Sequence, residues 1–125
     1  MECDTDWAWI CYRGAVNAAI KGKRGQSLLK EVAAAMDAMP VKRLIASELE
    51  CNGEFCTLGV VGHARGLDMS DIDPEEYCQV ADKFNIAKSL AREIVYMNDE
   101  ASLRLESPEE RWKRMRAWLN QQILS

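Results

Sequence analysis

The chain has 125 residues and a net charge of −4, with 48% hydrophobic and 29% charged residues. That length suits one domain with one core, so we predict a single domain over residues 1–125. No apolar run approaches the ~20 residues that span a bilayer. Acidic residues stand at positions 2, 4 and 6, where a signal peptide would carry positive charge. We therefore expect a cytoplasmic protein without membrane contact.

The first predicted unit is a helical pair over residues 6–39. Apolar side chains recur at steps of three and four, which predicts a buried helix face at Trp9, Tyr12, Val16 and Ile20. Asp6 is the expected N-cap of this helix and Gly22 its stop. Ser27 is expected to cap the second helix, which Pro40 prevents from continuing.

Between these helices, residues 21–26 are predicted to form a polar loop. Two glycines beside Lys21, Lys23 and Arg24 would let backbone N–H groups approach an anion. Arg13 is expected nearby, two helical turns back on the first helix. The loop is therefore a hypothetical binding site for phosphate or an acidic partner, and the alternative is a solvated connector.

A β-hairpin is predicted over residues 43–61. Asn52-Gly53 suits the positive φ angles of a tight two-residue turn, which places Cys51 opposite Glu54. One face of the hairpin is then mostly apolar, and we expect it to pack on the helices: Ile45, Ser47, Leu49, Cys51, Cys56, Leu58 and Val60. Residues 62–72 are predicted to be a loop.

A second helical pair is predicted over residues 74–97, followed by a C-terminal helix over 108–124. Asp73-Pro74 resembles an N-cap with proline at N1, and Asn85 is expected to end the first of these helices. Ser107 and Glu110 form a capping-box pattern. The fold class is therefore α+β, mainly α, with about five helices packed around one hairpin.

The cysteines and the single histidine suggest no catalytic or metal centre. Cys51 and Cys56 are predicted to lie diagonally across the hairpin, and His63 has the opposite strand parity, so the ligands of a zinc site would not converge. We expect core packing for these cysteines, and a redox role stays open. The chain carries no serine-hydrolase, zinc-protease or nucleotide-binding motif. We therefore expect neither enzyme activity nor a cofactor.

Residues 79–95 also fit a helix-turn-helix pattern, with the core positions Val80, Phe84, Ile86 and Ile94. The second helix of that pattern would present Lys88, Ser89 and Arg92 to DNA bases. Residues 71–100 contain three basic and eight acidic residues, a balance that opposes phosphate binding. DNA contact through these three residues is therefore the alternative interpretation.

Several short segments resemble a family of small proteins encoded by bacteriophages and prophages. They are Tyr12-Arg13, residues 19–26, the hairpin with Ala64-Arg65-Gly66 after it, and Asn98-Asp99-Glu100. The resemblance extends roughly from residue 9 to residue 119. It implies a phage or prophage origin and the bacterial cytoplasm, and it carries over no functional residue.

Two functions follow as hypotheses. The first is a non-catalytic accessory protein that binds a host protein, and so inhibits a host or defence protein. The second is a small DNA-binding regulator that uses residues 79–95. Salt-dependent binding to duplex DNA would favour the second.

Overall fold

The computed structural model describes residues 2–100 and 105–124, with side chains from residue 7 onward. This part of the chain forms six helices and one two-stranded antiparallel sheet, which confirms the mainly α, α+β fold. The elements are α1 (Glu2–Lys21), α2 (Lys23–Asp37), β1 (Glu50–Cys51), β2 (Glu54–Phe55), α3 (Thr57–Ala64), α4 (Tyr77–Phe84), α5 (Lys88–Asp99) and α6 (Pro108–Gln122). The count is six helices rather than about five, because residues 57–64 are helical.

Two helices organise the core. Helix α2 packs against α1, α3 and α6, whereas α5 packs against α1, α3, α4 and α6. Their apolar stripes meet in a shared cluster whose largest fully buried members include Leu29, Met36, Leu44, Leu49, Leu58, Phe84, Leu90, Ile94, Met115 and Leu119. Of the buried face predicted for the first helix, Val16 and Ile20 are buried, whereas Trp9 is 60% exposed.

The connection between α1 and α2 differs from the predicted loop. Gly22 alone separates the two helices, and Ser27 lies inside α2 instead of capping it. A Cβ atom on Gly25 would lie 1.9 Å from the carbonyl oxygen of Ala19, so only glycine permits this close approach. The prediction of a loop over 21–26 was therefore wrong, and so was Asp6 as N-cap, since α1 already begins at Glu2.

The hairpin turn is where the sequence placed it, but the strands are short. Asn52 and Gly53 have φ angles of 52° and 79°, and Cys51 pairs with Glu54 as predicted. The predicted extent of 43–61 was wrong, because the chain becomes helical at Thr57 with Cys56 as its N-cap. A continuous apolar run such as 58–61 fits a buried helix as well as a strand, which explains the error.

The later helix boundaries were partly correct. Ser107 and Glu110 form the predicted capping box at the start of α6, and Asn85 ends α4 in the left-handed conformation. Asp73 does not cap α4, which begins at Tyr77. Its carboxylate accepts a hydrogen bond from the Glu75 N–H (2.9 Å) and so stabilises a turn before the helix. Helix α5 begins at Lys88 and extends to Asp99, two residues beyond the predicted end at residue 97.

None of the helices in the described part of the chain has the length and apolar character required to cross a membrane.

Candidate functional site

The three predicted anion-binding cations stay together at the junction of α1 and α2. Lys21, Lys23 and Arg24 are all exposed there, and we call them the basic corner. Arg24 Nη1 lies 3.4 Å from Oδ1 of Asn85. The backbone does not form the predicted anion-binding loop, because the Gly22 N–H donates to the Ala18 carbonyl in a helical bond. What remains is a cluster of solvated positive charge.

Arg13 is not part of the basic corner. Its Nη1 atom lies 2.8 Å from Oε2 of Glu93, and the Tyr12 hydroxyl donates to Oε1 of the same carboxylate at 3.1 Å. Glu93 is only 6% exposed, so its charge requires these partners. Since Lys21 lies eight residues further along α1, it is roughly 12 Å away along the helix axis. Arg13 therefore joins α1 to α5 and does not extend the predicted site.

The same network fixes the protonation of Tyr12. Burial, the negative charge of Glu93 and the hydrogen bond to it together raise the pKa of the Tyr12 phenol to about 12, against the opposing charges of Arg92 and Arg13. The phenol is therefore a hydrogen-bond donor throughout the neutral range.

The alternative DNA-contact residues have separate surroundings. Lys88 is exposed and Ser89 half-buried, whereas the guanidinium of Arg92 lies 4.5 Å from the ring centroid of Tyr12 and 6.0 Å from that of Tyr77. The predicted core positions of this helix pair are buried: Val80, Phe84, Ile86 and Ile94. Because α1 packs against α5 on the side of Arg92 and Glu93, part of the face that would read DNA already contacts protein.

An apolar groove that the sequence did not predict lies on the surface between α2, the following loop, the hairpin and α3. Its volume is about 650 Å³. Its walls are aliphatic and aromatic, and the residues are Ala35, Ala38, Met39, Pro40, Val41, Arg43, Gly53, Glu54, Phe55, Val60, His63 and Ala64. Two separate stretches of the chain, residues 35–43 and 53–64, contribute to it, so no single local motif could have indicated it.

One ion pair and one contact between aromatic rings shape the groove. Arg43 Nε lies 3.1 Å from Oε1 of Glu54, which forms an ion pair between the loop and the hairpin. His63 lies on α3, not in the predicted loop, and its ring centroid is 4.6 Å from that of Phe55. These contacts give the groove a polar edge beside an apolar wall.

The two hairpin cysteines have different surroundings. Cys56 is buried, and its Sγ accepts a hydrogen bond from the Gly59 N–H at 3.4 Å. Burial raises the pKa of its thiol to about 12. Cys51 is exposed, so the expectation that it packs in the core was wrong; a hydrogen bond with Glu48 raises its pKa. Within residues 2–100 and 105–124, no group of three or more His, Cys, Asp or Glu side chains could hold a metal ion.

Comparison with protein-family models, with curated proteins and with solved structures finds no match to this chain.

Proposed function

We propose that the protein acts without catalysis, by binding an apolar segment of another protein in the groove between α2 and α3. The groove itself is the observation that carries the proposal. Its volume of about 650 Å³ lies within the ~300–1,000 Å³ of typical ligand sites. Together with the sequence resemblance, the proposal extends to a phage or prophage protein in the bacterial cytoplasm whose partner is a host or defence protein.

The chemistry of the groove favours a protein segment as its occupant. Met39, Val41 and Val60 offer aliphatic contacts, and Phe55 adds an aromatic wall. Val41 is 60% exposed, so the groove continues onto the open surface. Interfaces between proteins concentrate their binding energy where an apolar anchor enters such a pocket and a polar rim surrounds it. The Arg43–Glu54 ion pair supplies such a rim.

A blocking substitution tests the proposal. Ala64 is exposed at the end of α3 and contributes to the groove, so a tryptophan there would fill the groove without entering the core. We expect Ala64→Trp to retain at least about tenfold less partner from a bacterial lysate than the unchanged protein. Ala34→Trp is the matched control, because Ala34 is exposed on α2 and does not line the groove.

Equal capture by Ala64→Trp and by the unchanged protein would contradict the proposal. Salt-dependent binding to duplex DNA that is lost when Lys88 and Arg92 are replaced by alanine would favour the DNA-binding alternative instead.

A further inference from the structure

A second cleft lies between α1, α4 and α5 and shares no residue with the apolar groove. Its volume is about 210 Å³. Aromatic side chains form much of its wall, and they include all three tyrosines of the chain: Trp9, Tyr12, Tyr77 and Tyr96. Sites for drug-sized ligands usually have volumes of ~300–1,000 Å³. This smaller cleft therefore suits a ligand with a single ring.

Two of these rings are open to a ligand. Trp9 is 60% exposed and Tyr96 is 47% exposed, although both are large and line the same cleft. In the described part of the chain, the Tyr96 ring stacks on no other ring and its hydroxyl has no hydrogen-bond partner. Exposed aromatic rings at one cleft provide apolar surface against which the ring of a ligand can pack.

The guanidinium of Arg92 is held in the cleft without an ion pair. It lies 4.5 Å from the ring centroid of Tyr12. The neighbouring carboxylate of Glu93 is already bound by Arg13 and by the Tyr12 hydroxyl. No other carboxylate of residues 2–100 and 105–124 forms an ion pair with Arg92. A guanidinium stacked on a ring keeps its N–H groups for a planar anion, and a carboxylate can accept two of them at once.

A hydrogen-bond acceptor stands at the other end of the cleft. Arg92, Tyr96 and Glu100 follow one another at steps of four residues, so they share one side of α5 and its C-terminal end. The Glu100 side chain is exposed and lines the cleft, and no cation of the described residues pairs with it. Eight residues separate Arg92 from Glu100, roughly 12 Å along the helix axis. A ligand that contacts both therefore carries its two polar groups at opposite ends of a ring.

We propose that this cleft binds a small aromatic carboxylate with a hydrogen-bond donor at the opposite end of its ring. The carboxylate of the ligand accepts hydrogen bonds from Arg92, and its ring packs against Trp9 and Tyr96. Its hydroxyl or amino group donates to Glu100. This small-molecule site is independent of the protein-binding groove, because the two share no residue.

The charges of the cleft disfavour other classes of small ligand. Aromatic rings attract cations, but the guanidinium groups of Arg13 and Arg92 already lie against the rings of Trp9 and Tyr12. A polyphosphate is disfavoured because Glu93 and Glu100 place two carboxylates beside one unpaired guanidinium. A single negative charge on an aromatic ligand matches the single unpaired cation.

Calorimetric titration with three related compounds tests the ligand class. We expect para-hydroxyphenylpropionate to bind the protein saturably. Phenylpropionate lacks the hydroxyl and para-ethylphenol lacks the carboxylate, so each should bind at least about tenfold more weakly. Absence of saturable binding by para-hydroxyphenylpropionate, or equal binding of all three compounds, would overturn the proposal.

Substitutions at the two ends of the cleft test the assigned contacts. Arg92→Met keeps an unbranched apolar side chain and removes the charge, so it should weaken para-hydroxyphenylpropionate binding by at least about tenfold. Lys88→Met is the matched control, because Lys88 is an exposed cation one turn earlier on α5 and does not line the cleft. Equal loss of affinity in both variants would contradict the role of Arg92.

Glu100→Ala separates ligand contact from general damage to the site. It should abolish the preference for para-hydroxyphenylpropionate over phenylpropionate, because only the hydroxylated compound donates to Glu100. The affinity for phenylpropionate should stay within about twofold of that of the unchanged protein. A Glu100→Ala variant that still prefers the hydroxylated compound would refute the proposed orientation.

Discussion

Asn98 joins three segments through one buried amide. It is 1% exposed, and its Oδ1 accepts hydrogen bonds from the backbone N–H (3.1 Å) and the hydroxyl (2.8 Å) of Thr57. Its Nδ2 donates to the carbonyl oxygen of Ile45 at 2.9 Å. One side chain at the end of α5 therefore fixes both the start of α3 and the chain before the hairpin.

Truncation of this amide should be costly. Asn98→Ala leaves the Thr57 donors and the Ile45 acceptor without their partner, and each such buried group costs about 1–3 kcal/mol. We expect the free energy of unfolding in urea to fall by roughly 3 kcal/mol. Asn17→Ala, at an exposed position of α1, should change it by no more than about 0.5 kcal/mol. Equal effects of the two substitutions would mean that Asn98 has no structural role.

The raised pKa of Tyr12 predicts that the protein loses stability in strong base. Its phenol has an ordinary pKa of 10.0 and a folded-state pKa of about 12, so the folded state holds the proton more tightly than the unfolded state. This contribution is complete below pH 10 and is lost as the pH rises through about 12. The unfolding free energy of the unchanged protein, relative to Tyr12→Phe, should decline across that interval. A constant difference in urea titrations would contradict the assignment.

At the scale of elements, two glycines in neighbouring helices have opposite roles. Gly25 contacts the α1 backbone so closely that a methyl group cannot fit, whereas Gly14 faces open space. We expect Gly25→Ala to lower the free energy of unfolding by more than about 2 kcal/mol, and Gly14→Ala to raise it by up to about 1 kcal/mol. Urea unfolding measures both changes in free energy. A tolerated Gly25→Ala would show that α1 and α2 are not so closely packed.

Local signals predicted some elements well and others poorly. The Asn52-Gly53 turn and the Ser107 capping box were predicted correctly because each depends on a few adjacent residues. The prediction of a loop over 21–26 was wrong because Gly25 and Gln26 are buried, although the segment is polar in composition. The Gln26 Nε2 donates to the carbonyl oxygens of Ile20 and Gln122. A hydrogen bond to a residue 96 positions away cannot be inferred from local sequence.

At the scale of the whole molecule, the candidate site is formed by tertiary packing more than by local sequence motifs. The groove combines residues from two separate stretches of the chain, 35–43 and 53–64, and the ion pair with Glu93 holds Arg13 away from the basic corner. Composition and periodicity predicted the mainly α fold, since apolar stripes specify which faces are buried. Composition and periodicity do not specify which exposed surfaces lie next to each other in the folded protein.

The arrangement of the cysteines predicts a protein that folds without zinc. Cys56 is enclosed, Cys51 is exposed and Cys78 lies on α4, so their sulfur atoms do not share one environment. Elemental analysis of the purified protein should find less than about one tenth of an equivalent of zinc, and a chelator should leave the melting curve unchanged. Stoichiometric zinc, or unfolding by the chelator, would contradict this prediction.

The reactivity of the buried Cys56 thiol also reports how often the structure opens locally. Alkylating reagents attack the thiolate, and both burial and the raised pKa withhold that form while α3 stays docked. Peptide mass spectrometry should therefore find Cys56 modified at least about a hundredfold more slowly than the exposed Cys78. Comparable rates would mean that α3 detaches readily. If Cys56 reacts slowly, each alkylation event reports one local opening in which the start of α3 leaves the core.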